Sequence, residues 1–510
     1  MHGCASLGRF NARLFHPDDS GSVRPPFPIR SAFLRAAPGL VVLAWLTGCA
    51  TPGAPVRITE PAAPDAWTAP VPQGPAAPEL RAWWKLFDDP ALDALVEEAL
   101  ARNLDLAIAT HRLREARLQA GRAAVQFRPS FSGNARNVQD VTATDTYFHA
   151  SIDMVWELGL FGAGDSVRAA ANADVDASLA DGQAVRVAVV ADVVRNYLDL
   201  QAARRQLRQL DRLAQLDERA QSLADVRRRT RTGTAGEVAQ ARAQAAQTRA
   251  ARATPQEAST RAAQALSVLL GRSTPDAAWT APGTPGTPGA GALPPFAFRS
   301  LPADLVRTRP DVRAAEGAVR KAEAGVGLAR SELFPRISIT GTLLYSYNLT
   351  RNRRTTSDDV PAIGPVIDVP LFDWGRRVRQ VDAQQQALQA AVLGQERALR
   401  AGVAEAESAL AALAAQQQRV DALATVLSAL QERAAAAETL TRVGLASEYD
   451  ALAARRALVQ AESEQATAND ARALAFVALY KAVGGAPLPA DDARTPHQDT
   501  PAGWLQRATP

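Results

Sequence analysis

The chain has few of the residues from which active sites are usually built. Its 510 residues include two cysteines and five histidines. The histidines are scattered, and no Cys/His spacing fits a zinc site. A phosphate-binding GxxxxGK[ST] loop and a GxSxG nucleophile turn are both missing. The sequence therefore predicts no enzyme, no metal and no cofactor beyond a covalent lipid. Aromatic residues make up only 5% of the chain, while alanine, arginine and glutamine dominate its middle. That composition suits long, closely packed helices with thin cores. The net charge is +4, and charges of both signs are interspersed, which reads as solvated helix faces and excludes a dedicated nucleic-acid surface. The apolar run 40–46 is too short to span a bilayer as a helix.

That run has another meaning. Arg30 and Arg35 precede it and Leu46-Thr47-Gly48-Cys49 ends it, as in a signal-peptide apolar region. The ending resembles a bacterial lipobox, which implies lipidation at Cys49 and cleavage before it. Residue 50 is Ala rather than Asp, which by the same resemblance permits transport to the outer membrane. An ordinary signal peptide with an incidental cysteine is the alternative.

The rest of the chain is written twice. The stretch 155–164 reappears 211 positions later as 366–375, and Gly233 pairs with Gly444 at the same offset. Asp105 and Pro129 return as Asp311 and Pro335 at 206, and 269–271 returns as 482–484 at 213. Changes of offset place length differences in connections. Copies of this length exceed a solenoid unit and predict one duplicated, pseudo-symmetric body. The expected division is a leader over 1–48 and a lipidated tether over 49–80. A first repeat over 81–275 has its hairpin near 130–160, and a Pro/Gly-rich connection covers 276–302. A second repeat over 303–486 has its hairpin near 336–371, and a flexible tail covers 487–510.

Each copy switches from helical to alternating periodicity and back. Phe148, Ala150, Ile152, Met154, Trp156 and Leu158 share one strand face; His149, Ser151 and Asp153 are on the other. Ile337, Ile339, Leu343, Tyr345 and Tyr347 alternate with Ser338, Thr340, Thr342, Ser346 and Asn348. A fourth strand is expected over 362–371. Four strands cannot close a barrel, and an apolar face opposite a polar one suits lipid outside and water inside. Either several chains share a barrel, or the strands form a soluble sheet packed on the helices. Uninterrupted helical patterns over 165–230 and 376–440 predict rods of about 97 Å at about 1.5 Å per residue. Return helices over 237–272 and 448–483 are half as long. Stacking completes the rods with 303–334 behind the first and 91–126 behind the second.

Several motifs together resemble a known family. They are Trp83-Trp84, the stretch 301–316 with Arg309-Pro310-Asp311-Val312-Arg313 at its centre, Phe334-Pro335-Arg336-Ile337, and Pro370-Leu371-Phe372-Asp373. The chain resembles the outer-membrane factors of tripartite efflux pumps: TolC-like channels of the NodT/OprM lipoprotein type, over about residues 80–486. The resemblance implies a mainly α fold with a small membrane β part. Three chains would form an α-barrel of long coiled helices below a shared 12-stranded β-barrel. It implies a homotrimer that spans the outer membrane, contacts its lipid and extends into the periplasm. Its partners would be a periplasmic adaptor protein and an inner-membrane RND transporter, and its cargo drugs or other toxic small molecules.

The resemblance also names candidate sites. Counting from Gly444, Tyr449 and Asp450 fall at positions of the family's periplasmic closing rings, while Ala453 replaces an acidic residue often found there. Ser447-Glu448-Tyr449-Asp450 is equally a capping box, so a gate and a helix cap both remain open for Asp450. Arg231, Gly233, Arg442 and Gly444 mark the tip turns and candidate adaptor contacts; arginines near helix C-termini also complement the helix dipole. Glu157 and Asp368 are copies of one repeat position without a nucleophile, which reads as capping or lumen-facing charge. Two other functions compete with efflux: the exit duct of a type I protein-secretion system and a periplasmic coiled-coil lipoprotein.

Overall fold

The computed structural model describes residues 63–75, 79–139, 145–280, 292–354 and 361–485. The expected leader, Cys49, much of the tether, the middle of the Pro/Gly-rich connection and the tail lie outside the described residues. Ten α-helices and five strands are found among those described. A 3-10 helix, Leu80–Phe87, comes first and buries Trp83, Trp84 and Phe87. Helices α1 (Pro90–Arg102) and α2 (Leu104–Val125) lead to strands β1 (Ser130–Gln139) and β2 (Thr146–Glu157). Helix α3 (Ala163–Arg229) follows, then α4 (Ala235–Ala251), α5 (Ala253–Leu269) and the short α6 (Ala277–Thr280). The second half holds α7 (Leu305–Thr308), α8 (Pro310–Ser331), β3 (Arg336–Asn348), β4 (Arg353–Arg354), β5 (Ala362–Asp368), α9 (Arg376–Arg442) and α10 (Glu448–Ala482).

The duplication is visible in the element lengths. Helices α3 and α9 each have 67 residues, or about 100 Å at about 1.5 Å per residue. Helices α2 and α8 each have 22. The structural offset is 206 from α2 to α8 and 213 from α3 to α9. This corrects the 211 alignment of the strand-to-helix turn. Gly162, in the left-handed region at φ 84°, answers Gly375 at φ 74°, and Phe161 answers Trp374. The sheet agrees with the corrected offsets. Ser130 lies opposite Val155 and Arg336 opposite Asp368, so β1 maps onto β3 at 206 and β2 onto β5 at 213. The length difference therefore falls in the hairpin loops. The Leu-Phe matches at 211 are a sequence coincidence two positions out of register.

Three helices that periodicity joined are broken in the structure, each for a local reason. Between α1 and α2, Asn103 takes an extended conformation and caps α2, its side chain accepting from the N–H of Leu106. Pro255 has no N–H for the carbonyl of Ala251, and the return helix parts there into α4 and α5. Arg309, ahead of Pro310, adopts an extended conformation that ends α7 and starts α8. The fourth strand stops at Asp368, short of Pro370.

Strands β1, β2 and β3 pair antiparallel in sequence order, and β3 pairs with both β4 and β5. The two hairpins thus join through β2 and β3 into one sheet with free edges on β1 and β5. Phe148 faces Tyr347, Ile152 faces Leu343 and Trp156 faces Ile339, so the apolar sides of the copies merge. This face is open: Phe131, Ile152, Leu343, Ile363 and Ile367 are exposed. On the polar face Asp153 accepts from Asn134, Ser151 and Thr342 at 2.7, 2.9 and 2.7 Å.

The core lies where the described ends of the chain meet the inter-repeat connection. Trp83 stacks on Tyr480 with ring centroids 5.6 Å apart, and Phe87 and Phe296 pack edge-on against Phe476. Residues 67–72 of the expected tether are docked here. The N–H groups of Thr68 and Ala69 donate to Glu407, and Pro72 accepts from Phe298.

End-to-end stacking follows a different pairing from the one helix lengths suggested. Asn103, at the start of α2, donates to the carbonyl of Leu269 at the end of α5. Arg309, at the start of α8, donates to the carbonyl of Ala482 at the end of α10. Each return helix is therefore continued by the entry helix of its own copy, not of the other. Gly271 and Gly484 make this contact close. A Cβ at Gly271 would lie 2.6 Å from the carbonyl oxygen of Arg102, and one at Gly484 2.3 Å from that of Thr308. Both have positive φ and end their helices in left-handed caps.

Candidate gate at the helical tips

The two long helices reverse direction in turns of the same design. Thr232 and Gly233 donate backbone N–H groups to the carbonyl of Arg227 at 2.8 and 3.0 Å. Leu445 and Ala446 donate to the carbonyl of Leu440 at 2.8 and 3.2 Å. The left-handed residue is Arg231 in the first turn, at φ 59°, and Gly444 in the second, at φ 76°. Arg231 therefore answers Gly444, and Gly233 answers Ala446, at the 213 offset. Gly233 is required for space: a Cβ there would lie 2.8 Å from the Arg227 Cβ. Arg231 and Arg442 are both exposed.

Beyond each turn the chain re-enters a helix through a capped N-terminus. Thr234 accepts from the N–H of Glu237 at 3.1 Å. Ser447 accepts from the N–H of Asp450, and Asp450 accepts from both the N–H and the hydroxyl of Ser447, at 3.2 and 2.6 Å. The second cap is thus a complete box; in the first, Glu237 turns instead toward Arg227, 3.4 Å away. The Ser447 hydroxyl and N–H hold the Asp450 carboxyl below the ordinary carboxylate range, with a smaller pull from Arg227.

Arg227 joins the two tips, a role that sequence reasoning missed. Its guanidinium lies 5.8 Å from the ring centroid of half-buried Tyr449 while its Nε faces Glu237. Tyr449 and Asp450 of the second tip thus come together with Arg227 and Glu237 of the first. Ala453 is exposed one turn further on.

A ladder of ion pairs ties α3 to α10 above the tips. Arg205, Arg212 and Arg219, spaced by seven along α3, meet Asp470, Glu462 and Glu448 on α10. Arg219 holds Glu448 with two bonds of 2.7 and 3.0 Å. Between these rungs Asp217 is almost fully buried and accepts from Arg456 of α10 and Thr248 of α4. The heptad spacing of the arginines was the available signal; their partners, more than 200 positions away, were not readable. Among the described residues no cluster of His, Cys, Asp or Glu could hold a metal ion, and no helix is long and apolar enough to cross a membrane.

Comparison with known proteins agrees with this architecture. The family model for outer membrane efflux proteins matches residues 95–272 and 301–485. The pyoverdine export outer membrane protein OpmQ of Pseudomonas putida is 29% identical, over 86% of this chain and 95% of that protein. The cation efflux system protein CusC of Escherichia coli O6:H1 is 28% identical, over 79% of this chain and 88% of that protein. The outer membrane channel MtrE of Neisseria gonorrhoeae, solved in its open state, superposes with a TM-score of 0.72 at 25% identity, covering 84% of this chain and 97% of that one. With its paired long helices, its small two-faced sheet and a family match across both repeats, the chain belongs to the outer membrane efflux proteins, and its place is the outer membrane.

Proposed function

We propose that three copies of this chain form the exit duct of a tripartite efflux system that exports small molecules. One observation carries the reading. A sheet with an open apolar face, a hydrogen-bonded polar face and two free edges is built onto helices of about 100 Å. The sheet cannot close alone, and three copies supply the twelve strands of a membrane barrel. The helices then continue the tube into the periplasm. At the tips Asp450 is engaged in a cap and Glu237 in an ion pair with Arg227. The duct catalyses no step, and an inner-membrane transporter of the RND class supplies energy through a periplasmic adaptor docked at the tips. Arg231 and Arg442, exposed at the turns, are the adaptor contacts of this reading. Tyr449 and Asp450 line the closed tip, with Asp450 both capping α10 and narrowing the axis. Cys49 carries the lipid. OpmQ, named for pyoverdine export, and CusC, named for cation efflux, differ in cargo, which supports assigning cargo choice to the transporter.

Reconstitution of the full-length protein in planar bilayers tests the duct. Discrete conductance steps from a trimer, together with cell sensitivity to small toxic compounds after deletion of the gene, are expected. A monomer without conductance would overturn the reading.

A further inference from the structure

Arg351, Arg353 and Arg354 follow the end of β3, and the fold gives each a different setting. Arg351 is held by Asp145, whose carboxylate lies 2.9 Å from its Nε. Arg353 and Arg354 form β4, and pairing with β3 assigns them to opposite faces of the sheet. Arg353 stands opposite Asn348 on the polar face, and Arg354 opposite Tyr347 on the apolar face. The Arg354 guanidinium reaches along that face to Tyr345 and lies 5.3 Å from its ring centroid. Phe148 faces Tyr347 from β2, so aromatic rings of both copies gather beside this one cation. Arg354 and Tyr345 are both exposed.

We propose that Arg354, with Tyr345 and Tyr347, binds a phosphate group of the anionic glycolipid in the outer leaflet of the outer membrane. The proposal rests on the reading of the sheet as part of a membrane barrel and gives that barrel a specific headgroup contact.

The height of the site follows from strand geometry. The end of β3 is remote from the helices, and it faces outward when the helices extend into the periplasm. From Ile337 to Tyr347, both on the apolar face, the strand advances about 33 Å, or about 25 Å along the membrane normal at a tilt of about 40°. The apolar band of such a barrel is also about 25 Å tall. Trp156, opposite Ile339, marks its inner border, and the two tyrosines mark its outer one. Arg354 thus stands where hydrocarbon gives way to headgroups, on the side that meets lipid. Phosphate oxygens match the planar fork of a guanidinium, and its five donors serve more than one acceptor at once.

Arg353 supplies the internal control. It carries the same charge one residue away, but the ladder puts it on the polar face, which meets water in this reading. An attraction to anionic lipid that depended on charge alone would use both arginines; a site on the lipid side uses Arg354.

Native mass spectrometry of the full-length trimer, titrated with diphosphoryl lipid A, tests the site. One lipid A bound per chain is expected. Arg354→Gln should weaken this binding about fivefold, the worth of one arginine at an anionic membrane surface. Arg354→Lys should recover part of the loss because the charge remains, and Arg353→Gln should bind as the parent does. Lipid A stripped of its phosphates should bind no better to the parent than to Arg354→Gln. Parent-like binding by Arg354→Gln overturns the site and leaves the barrel standing. So does an equal loss in Arg353→Gln, which would reduce the effect to charge alone, or undiminished binding of the stripped lipid, which would assign it to the acyl chains. A protein that stays in the aqueous phase without detergent and takes up no lipid overturns the membrane reading as well.

Discussion

Asn103 and Arg309 occupy the same place in the two halves of the chain and bind the same kind of partner there. Each stands at the break before an entry helix, and each donates to a terminal carbonyl of a return helix, Leu269 or Ala482. The second copy has elaborated the joint. Arg309 also holds Asp311 with two bonds and reaches Glu405 of α9 at 2.8 Å, so that three helices meet at one nearly buried guanidinium. This geometry explains the Arg309-Pro310-Asp311 motif: proline forces the extended break, and arginine spans the gap it opens.

Arg309→Ala is expected to lower stability by about 2–3 kcal/mol, since bonds to charged groups are lost and the Ala482 carbonyl is left unpaired. Arg309→Lys should recover only part of this, because an ammonium cannot reproduce the fork. Asn103→Ala should cost about 1 kcal/mol as a lost cap. Chemical unfolding of the detergent-solubilised protein ranks the three; equal losses would refute the hub.

At the second tip, cap and gate separate by experiment. Ser447→Ala should lower stability by about 1 kcal/mol as a lost cap and Asp450→Ala should lower it too, while Asp450→Asn should cost less because Asn can still accept from the Ser447 N–H. A gate adds a second readout: both Asp450 variants then change conductance or cation preference in planar bilayers. Unchanged selectivity in both leaves the cap alone.

The cap also has a pH signature. The folded-state pKa of Asp450 is depressed, so its stabilisation is complete above the unfolded carboxylate value of about 3.9 and is lost as pH falls through the lower folded value. Melting curves of parent and Asp450→Asn proteins should converge on acidification. A gap that persists at the lowest pH contradicts the assignment.

Breaking the buried link between α3 and α10 should loosen the tips. Asp217→Ala leaves Arg456 partly buried without its carboxylate partner and should cost about 3 kcal/mol, whereas Arg219→Ala, at an exposed rung, should cost much less. Hydrogen exchange should rise at 217–240 and 440–456 in the first variant and hardly in the second. The reverse order would assign the coupling to the exposed rung.

On the sheet, Ile152→Arg should cost about 2–4 kcal/mol near the bilayer midplane and deplete heat-sensitive trimer bands on gels. The equivalent charge at Ser151, on the polar face, should be tolerated. Equal trimer yields for both would argue for a sheet in water.

The sequence by itself determined the elements and their chemistry. Hydrophobic period separates helix from strand locally, so the long helices, the alternating strands and the capping box at Ser447 were readable from neighbouring residues. The duplication was readable too, with its 206 and 213 offsets, but the register at the strand-to-helix turn and the tips was not. Short matches such as Leu160-Phe161 with Leu371-Phe372 align by identity, while the ladder and the helix starts fix a register two positions away. The breaks at Asn103 and Arg252 were missed because helical periodicity continues across them; the side chain of extended Asn103 both caps α2 and donates to the distant Leu269 carbonyl. Only the tertiary structure decided which return helix continues which entry helix, and that Arg227 lies between Glu237 and Tyr449. Those contacts join positions far apart in the chain, and charge or periodicity along one segment carries no record of which distant segment will face it.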